Sequence, residues 1–251
     1  MNNLNTANSL SYFGYCTHCK KDHSLPSEKA IPYALNLMEQ LRLHCRIDLE
    51  THIDKADPKL STKHLYSDSG GQMFGVLVCQ DTQGNEIILK AFSSTHNGLW
   101  NVAEWVPHLA NESEFMKVVN EGNIEIHPLT DLITTLQKGS DEWLIKISER
   151  KAVSQNVLTK LFALYEVFNF KNEKRSISEA FNIKKGIPNG TGDCCAPKLL
   201  NYAAKNNLKP VSIAEFYWGK TSLSGLRVEG EFYSSCADKC QPLLGFMLCG
   251  I

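Results

Sequence analysis

Several things are missing from this sequence, and each absence removes a class of protein. No apolar run approaches the ~20 residues needed to cross a bilayer; the longest, Leu243 to Cys249, is broken by Gly245. Charge of one sign is not in excess: 26 Lys and Arg stand against 27 Asp and Glu, for a net charge of −1. With 43% hydrophobic residues in 251, this excludes an extended basic arm, an acidic tail and a disordered chain. The start, Met1-Asn-Asn-Leu-Asn-Thr6, has neither a positive n-region nor an apolar h-region, so the expected compartment is the cytoplasm. There is no repeat and no low-complexity tract. Gly190-Thr-Gly192 lacks the Lys-Ser/Thr ending of a P-loop and does not match the dinucleotide fingerprint. None of the eight histidines lies beyond His127, so nothing nominates a histidine base for a cysteine nucleophile in the last half of the chain.

Cysteine, by contrast, is plentiful: nine residues, six of them in the close pairs Cys16/Cys19, Cys194/Cys195 and Cys236/Cys240. An odd number, clustered, without a secretion signal, points to thiolate ligation or reactivity before disulfides. The plain alternative is that the thiols pack as small hydrophobes.

The length suits one large domain, and the expectation is a single mixed α+β domain over 1–251, a hairpin-containing sheet packed by helices. Ile31, Ala34, Leu35, Met38, Leu41 and Cys45 recur at helical spacing and predict an amphipathic helix over 30–45. Residues 46–71 read as a loop. Gln72–Cys79 and Glu86–Phe92, separated by Gln80-Asp-Thr-Gln-Gly-Asn85, predict a β-hairpin. Residues 93–139 show no clean period and read as an irregular insertion. Apolar positions from Leu144 to Phe168 predict one long helix over 141–168. A loop at 186–193 leads into a helix over 194–204, with Asp193 as N-cap and Pro197 tolerated in the first turn. Strands are expected at 211–218 and 243–249.

Two regions carry chemistry. Cys16-x2-Cys19 with His23 supplies up to three ligands for zinc in the candidate metal-binding segment 1–29; His18 reads as a surface residue. Cys194 and Cys195 stand at a helix start, where the dipole and free amides favour thiolate, and Cys236 and Cys240 would share one side of a helical turn. Zinc-dependent deaminases hold their metal with a helix-start ligand and a later cysteine pair, with a strand between, and the preceding helix and hairpin occur here in the same order. The later pair is C-x3-C where those enzymes have C-x2-C, and Ala196, Pro197 and Lys198 fill the place of their proton-shuttling glutamate. Asp193 or Glu215 would have to replace it. A set drawn from both regions, Cys16, Cys19, Cys236 and Cys240, is a further arrangement.

Read together, Cys16-Thr-His-Cys19 with His23-Ser-Leu-Pro26, Gly71-Gln-Met-Phe-Gly-Val-Leu-Val78, Lys90-Ala-Phe-Ser93, Gly190-Thr-Gly-Asp-Cys-Cys-Ala-Pro-Lys-Leu-Leu200, Ala214-Glu-Phe-Tyr-Trp-Gly219, and Cys236-x3-Cys240 with Leu244-Gly-Phe-Met247 resemble the N-terminal extension of bacterial RluA-type pseudouridine synthases, over nearly the whole chain. In that family the extension precedes a synthase domain marked by an aspartate in a His-Arg-Leu-Asp type motif. His44-Cys-Arg-Ile-Asp48 is not such a motif, so the resemblance implies an association with RNA modification and not pseudouridine synthesis by this chain.

Three readings follow. The first is a zinc-binding accessory domain that binds RNA or an RNA-modifying enzyme; Lys146/Arg150/Lys151 and Lys171/Lys174/Arg175, near Phe168 and Phe170, are its candidate cationic patches. The second is a deaminase-like hydrolase with zinc held by Cys194, Cys236 and Cys240. The third is a structural protein with inert thiols.

Overall fold

A computed structural model describes residues 10–68, 70–183 and 186–251. Met1–Thr6, read above for a leader, and the first nine residues of the 1–29 segment lie outside the described residues. The chain opens with a hairpin, β1 (Ser11–Cys16) and β2 (Lys21–Pro26), antiparallel with Cys16 opposite Lys21. Helix α1 (Ile31–His44) follows, closed by Cys45 at a left-handed φ of 52°. Its buried stripe is Ile31, Ala34, Leu37, Met38 and Leu41, while Leu35 faces outward. Three short 3-10 turns fill the loop before β3 (Gln72–Gln80) and β4 (Glu86–Phe92).

The central sheet has the order β4-β3-β7, with β7 spanning Lys209–Trp218 and both neighbours antiparallel to β3. Strand period 2 divides its side chains between two cores. Phe74, Val76, Val78, Ala214, Phe216 and Trp218 pack with α1, and Leu77 and Ile213 pack on the opposite face with α5 (Cys195–Lys205). The register pairs Gly75 with Glu215, and a Cβ at Gly75 would lie 2.7 Å from Cys195 Cβ. This glycine therefore lets α5 settle directly on the sheet beside Glu215.

Residues 93–139 are not irregular throughout: α2 (Glu112–Thr135) pairs with α3 (Asp141–Leu164) as a helical hairpin. The pairing is close where Gly122 meets Val157, 2.4 Å from where a Cβ would stand. Polar residues and Pro128 blur the apolar period of α2 because the hairpin leaves much of both helices in water. The long helix ends at Leu164, short of Phe168, where β5 (Glu166–Phe168) turns to pair with β6 (Lys174–Ser176). A one-turn helix, α4 (Ile177–Ala180), follows. The expected strand at 243–249 is instead α6 (Gln241–Met247), with Pro242 in its first turn. Its apolar run is uniform because the helix is buried all round, a case in which periodicity cannot separate helix from strand. Among the described residues no helix is long and apolar enough to cross a membrane.

Candidate metal centres

The fold gathers cysteines at two places, and either group could hold a metal ion. In the first, Cys16 ends β1, Cys19 lies in the β1–β2 turn, His23 lies on β2 and Cys249 follows α6; one donor atom from each falls within 4.8 Å of the rest. The Sγ atoms of Cys19 and Cys249 are 3.1 Å apart although 230 residues separate them. His23 Nε2 is buried and has no hydrogen-bond partner among the described residues. Lys171 Nζ lies 3.8 Å from Cys19 Sγ. Four tetrahedral donors around zinc, with Zn–S about 2.3 Å, stand about 3.8 Å apart. Three sulfurs and an imidazole nitrogen within 4.8 Å of one another, beside a buried Nε2 without a partner among the described residues, fit a closed Cys3His set. His18, exposed, takes no part.

In the second group Cys194, Cys236 and Cys240 bring their Sγ atoms within 4.8 Å of one another. Cys194 is the N-cap of α5, in extended backbone with no side-chain cap hydrogen bond, so its thiol sits against the positive end of the helix. Cys236 and Cys240 close a turn: the Cys240 amide donates to both the Cys236 carbonyl, at 3.2 Å, and the Cys236 sulfur, at 3.3 Å. Their sulfurs are 3.3 Å apart. Hydrogen bonding with Cys194 and Cys240 holds the Cys236 thiol well below its ordinary pKa, while the same contact with Cys236 pushes Cys194 up. Cys240 is raised too, first by Cys194. A bound cation would stabilise all three thiolates.

Glu215 is the ionisable neighbour of this group. It reaches α5 from β7, 4% exposed, and its Oε1 accepts the Ala196 amide at 2.7 Å. Its own amide donates to Tyr12 Oη at 2.6 Å, and its carbonyl accepts from the Tyr233 amide at 3.0 Å. Burial raises its carboxyl to about 7.

Asp193 is not the N-cap. Its Oδ1 accepts from Tyr165 Oη at 2.8 Å and from His108 Nε2 at 3.1 Å, and His108 Nδ1 in turn accepts the Ala110 amide. Burial raises its pKa, but the hydrogen bonds from His108 and Tyr165 prevail and leave it lowered. Asp193 thus anchors the 186–193 loop to α3 and to the segment before α2. Cys195 belongs to neither group: its buried thiol donates to the Met73 carbonyl at 3.3 Å. The mixed set Cys16, Cys19, Cys236 and Cys240 does not form, since its members fall in separate groups.

Two residues escaped the sequence reading. Cys249 closes a run that looks like core and has no partner at metal-ligand spacing. Lys198, 2% exposed, donates to the carbonyls of Phe92 and Ser94 at 3.0 and 2.6 Å and is lowered to about 8 by burial; a lysine one turn into an amphipathic helix otherwise reads as solvated. No protein-family model, no curated protein and no solved structure matches this chain.

Proposed function

We propose that the chain is a metal-dependent hydrolase of deaminase-like design, which releases ammonia from an amino-substituted nucleobase. Cys194, Cys236 and Cys240 are its ligands and Glu215 is its acid and base. The observation that carries this reading is the Glu215 carboxylate hydrogen-bonded to Ala196, inside the first turn of the helix that Cys194 caps. Ala196 stands where the sequence pattern of the deaminases would put the glutamate. Here the carboxylate arrives at that turn from the neighbouring strand, across the gap that Gly75 leaves.

A metal held by these three thiolates would keep a fourth position for water, unlike one in a closed four-ligand set. A metal bound there supplies a Lewis acid that makes water nucleophilic at neutral pH. Glu215, buried and raised above the ordinary carboxylate range, is a group that can carry a proton in both directions. It takes the proton from water as the C–O bond forms and gives it to the departing amino group as the C–N bond breaks, so that C–NH2 and water become C=O and ammonia. The Ala196 amide and the backbone bonds to Tyr12 and Tyr233 hold Glu215 at the first turn of α5.

The resemblance to the N-terminal extension of the RluA-type synthases supports RNA as the source of the base. Ammonia release from nucleosides and short RNAs, measured on zinc-loaded protein, tests the reading. Activity in the wild type that Glu215→Gln abolishes while retaining its metal is the expected result; equal ammonia from both proteins, or no metal on the three cysteines, overturns it.

The accessory-domain reading keeps one observation in its favour. Lys205 Nζ lies over the Phe168 ring at 4.9 Å and the Arg175 guanidinium over Phe246 at 4.7 Å, and stacked aromatic and cationic groups suit single-stranded RNA. Of the patch at 171–175, Lys174 is already paired with Glu166 at 2.6 Å. Salt-dependent RNA binding without ammonia release would favour this second reading.

A further inference from the structure

We infer that Cys16, Cys19, His23 and Cys249 form a closed zinc clasp that sets the geometry of the second cysteine group through β1 and α6. The donor set selects zinc over the hard cations, because three thiolates and an imidazole within 4.8 Å are soft, borderline and tetrahedral. The set is also complete, with Cys16 and Cys249 buried and His23 Nε2 left without any partner among the described residues.

Two of the elements that leave the clasp, β1 and α6, lead toward the second group. Helix α6 has Cys240 as its N-cap, and Cys249 comes two residues after its last residue. One seven-residue helix therefore separates a ligand of one group from a ligand of the other. Strand β1 ends in Cys16 and contains Tyr12, whose hydroxyl donates to the Tyr233 carbonyl at 2.7 Å and accepts the Glu215 amide at 2.6 Å. Tyr233 is three residues before Cys236. The two elements also meet backbone to backbone: a Cβ at Gly245 would lie 2.0 Å from the Tyr15 carbonyl oxygen, and one at Gly14 would lie 2.3 Å from Gly245 N. Neither can shift along the other without moving both ends. Closing the clasp fixes β1 against α6 and, through Tyr12 and Cys240, presents Glu215, Cys236 and Cys240 to Cys194. The coupling needs only that the second group binds zinc; it does not depend on hydrolytic activity.

Metal counting on the full chain tests this. The wild type should hold one zinc for each group. Cys249→Ser should lose the clasp zinc and also weaken the second, by roughly tenfold in competition with a chromogenic chelator, within the ordinary range of coupling between sites. Cys249→His, which keeps a donor, should restore both. By reciprocity Cys236→Ser should lose the second zinc and weaken the clasp by the same factor. Should Cys249→Ser not fold, His23→Asp keeps an oxygen donor, and the same parallel weakening is expected of it. A second zinc held at wild-type affinity in these clasp variants would overturn the coupling. Zinc content unchanged in Cys249→Ser, or a Cys19–Cys249 disulfide in the purified wild type, would overturn the clasp itself.

Discussion

The two cysteine groups use the same chemistry on opposite plans. In the first, four donors come from a hairpin and from the far side of α6, they exhaust a tetrahedral sphere, and the neighbouring ionisable group is a lysine, Lys171. In the second, three donors come from the N-cap of α5 and the turn that leads into α6, the sphere is one short, and a buried glutamate, Glu215, stands by the first turn of α5. A cation beside a closed thiolate set offsets its negative charge; a buried carboxyl beside an open one can move a proton. The difference teaches that cysteine count alone assigns no role. What completes the sphere, and what stands next to it, does.

The sharpest way to break this contrast is Glu215→Gln. The expected outcome is a fall in ammonia release of roughly a hundredfold to ten-thousandfold, the usual worth of an acid–base group, with both zincs retained by elemental analysis. Loss of the second zinc in this variant would recast Glu215 as a ligand and make the two groups alike. Metal removal comes next. Stripping zinc with a chelator should lower the urea midpoint, since a ligand present at about a thousandfold its dissociation constant stabilises by about 4 kcal/mol. Cys16→Ser should reproduce most of that loss and Cys236→Ser much less, because only the clasp joins segments 230 residues apart. Equal losses would remove the distinction between structural and reactive centres.

How far this contrast was legible in the sequence depends on where each residue's information lies. The helix 30–45, the hairpin of β3 and β4, the helix at 195–205 and strand β7 all follow from period and turn chemistry that a local window contains. So do the members of each cysteine pair, since a turn brings residues three or four apart together. Which pairs unite with which distant residue is a property of packing, and Cys249 joins Cys19 only because α6 crosses β1 at two glycines. The strand expected at 243–249 fails for the same reason: full burial erases the helical period. Asp193 is a good cap by residue type, yet His108 and Tyr165, distant in sequence, claim its carboxylate. Glu215 was one of two candidates for the acid; the register that pairs it with Gly75 on the α5 face separates it from Asp193.

Acid stability separates both metal groups from the core beside them. His96 is fully buried, donates from Nδ1 to Gln72 Oε1 at 2.8 Å, and is lowered to about 4 by burial and then by His64. Its folded-state value lies below the unfolded one near 6.5, so the unfolded chain binds the extra proton first. Stability is complete above pH 6.5 and is lost as pH falls toward 4, by about 3 kcal/mol in all. Urea unfolding of wild type and His96→Gln between pH 7 and pH 4 measures the difference. The variant should be less stable at pH 7 and flatter with pH, and whatever slope it keeps belongs to the other titratable groups. Parallel profiles would place all the acid sensitivity outside His96.

The smallest effect is expected far from both groups, at Asn111. Its side chain accepts the Glu114 amide at 3.2 Å and caps α2, so Asn111→Ala should cost about 1 kcal/mol. The helical hairpin of α2 and α3 supplies no donor to either cysteine group. A chain weakened only at that hairpin should therefore keep both zincs at wild-type affinity, even though its global stability falls measurably. This makes Asn111→Ala the control for the clasp: the loss of second-site affinity in Cys249→Ser has to exceed anything that general destabilisation produces. If Asn111→Ala loosened the second zinc as much, the link between the groups would run through the stability of the whole molecule, and β1 and α6 would have no special part in it.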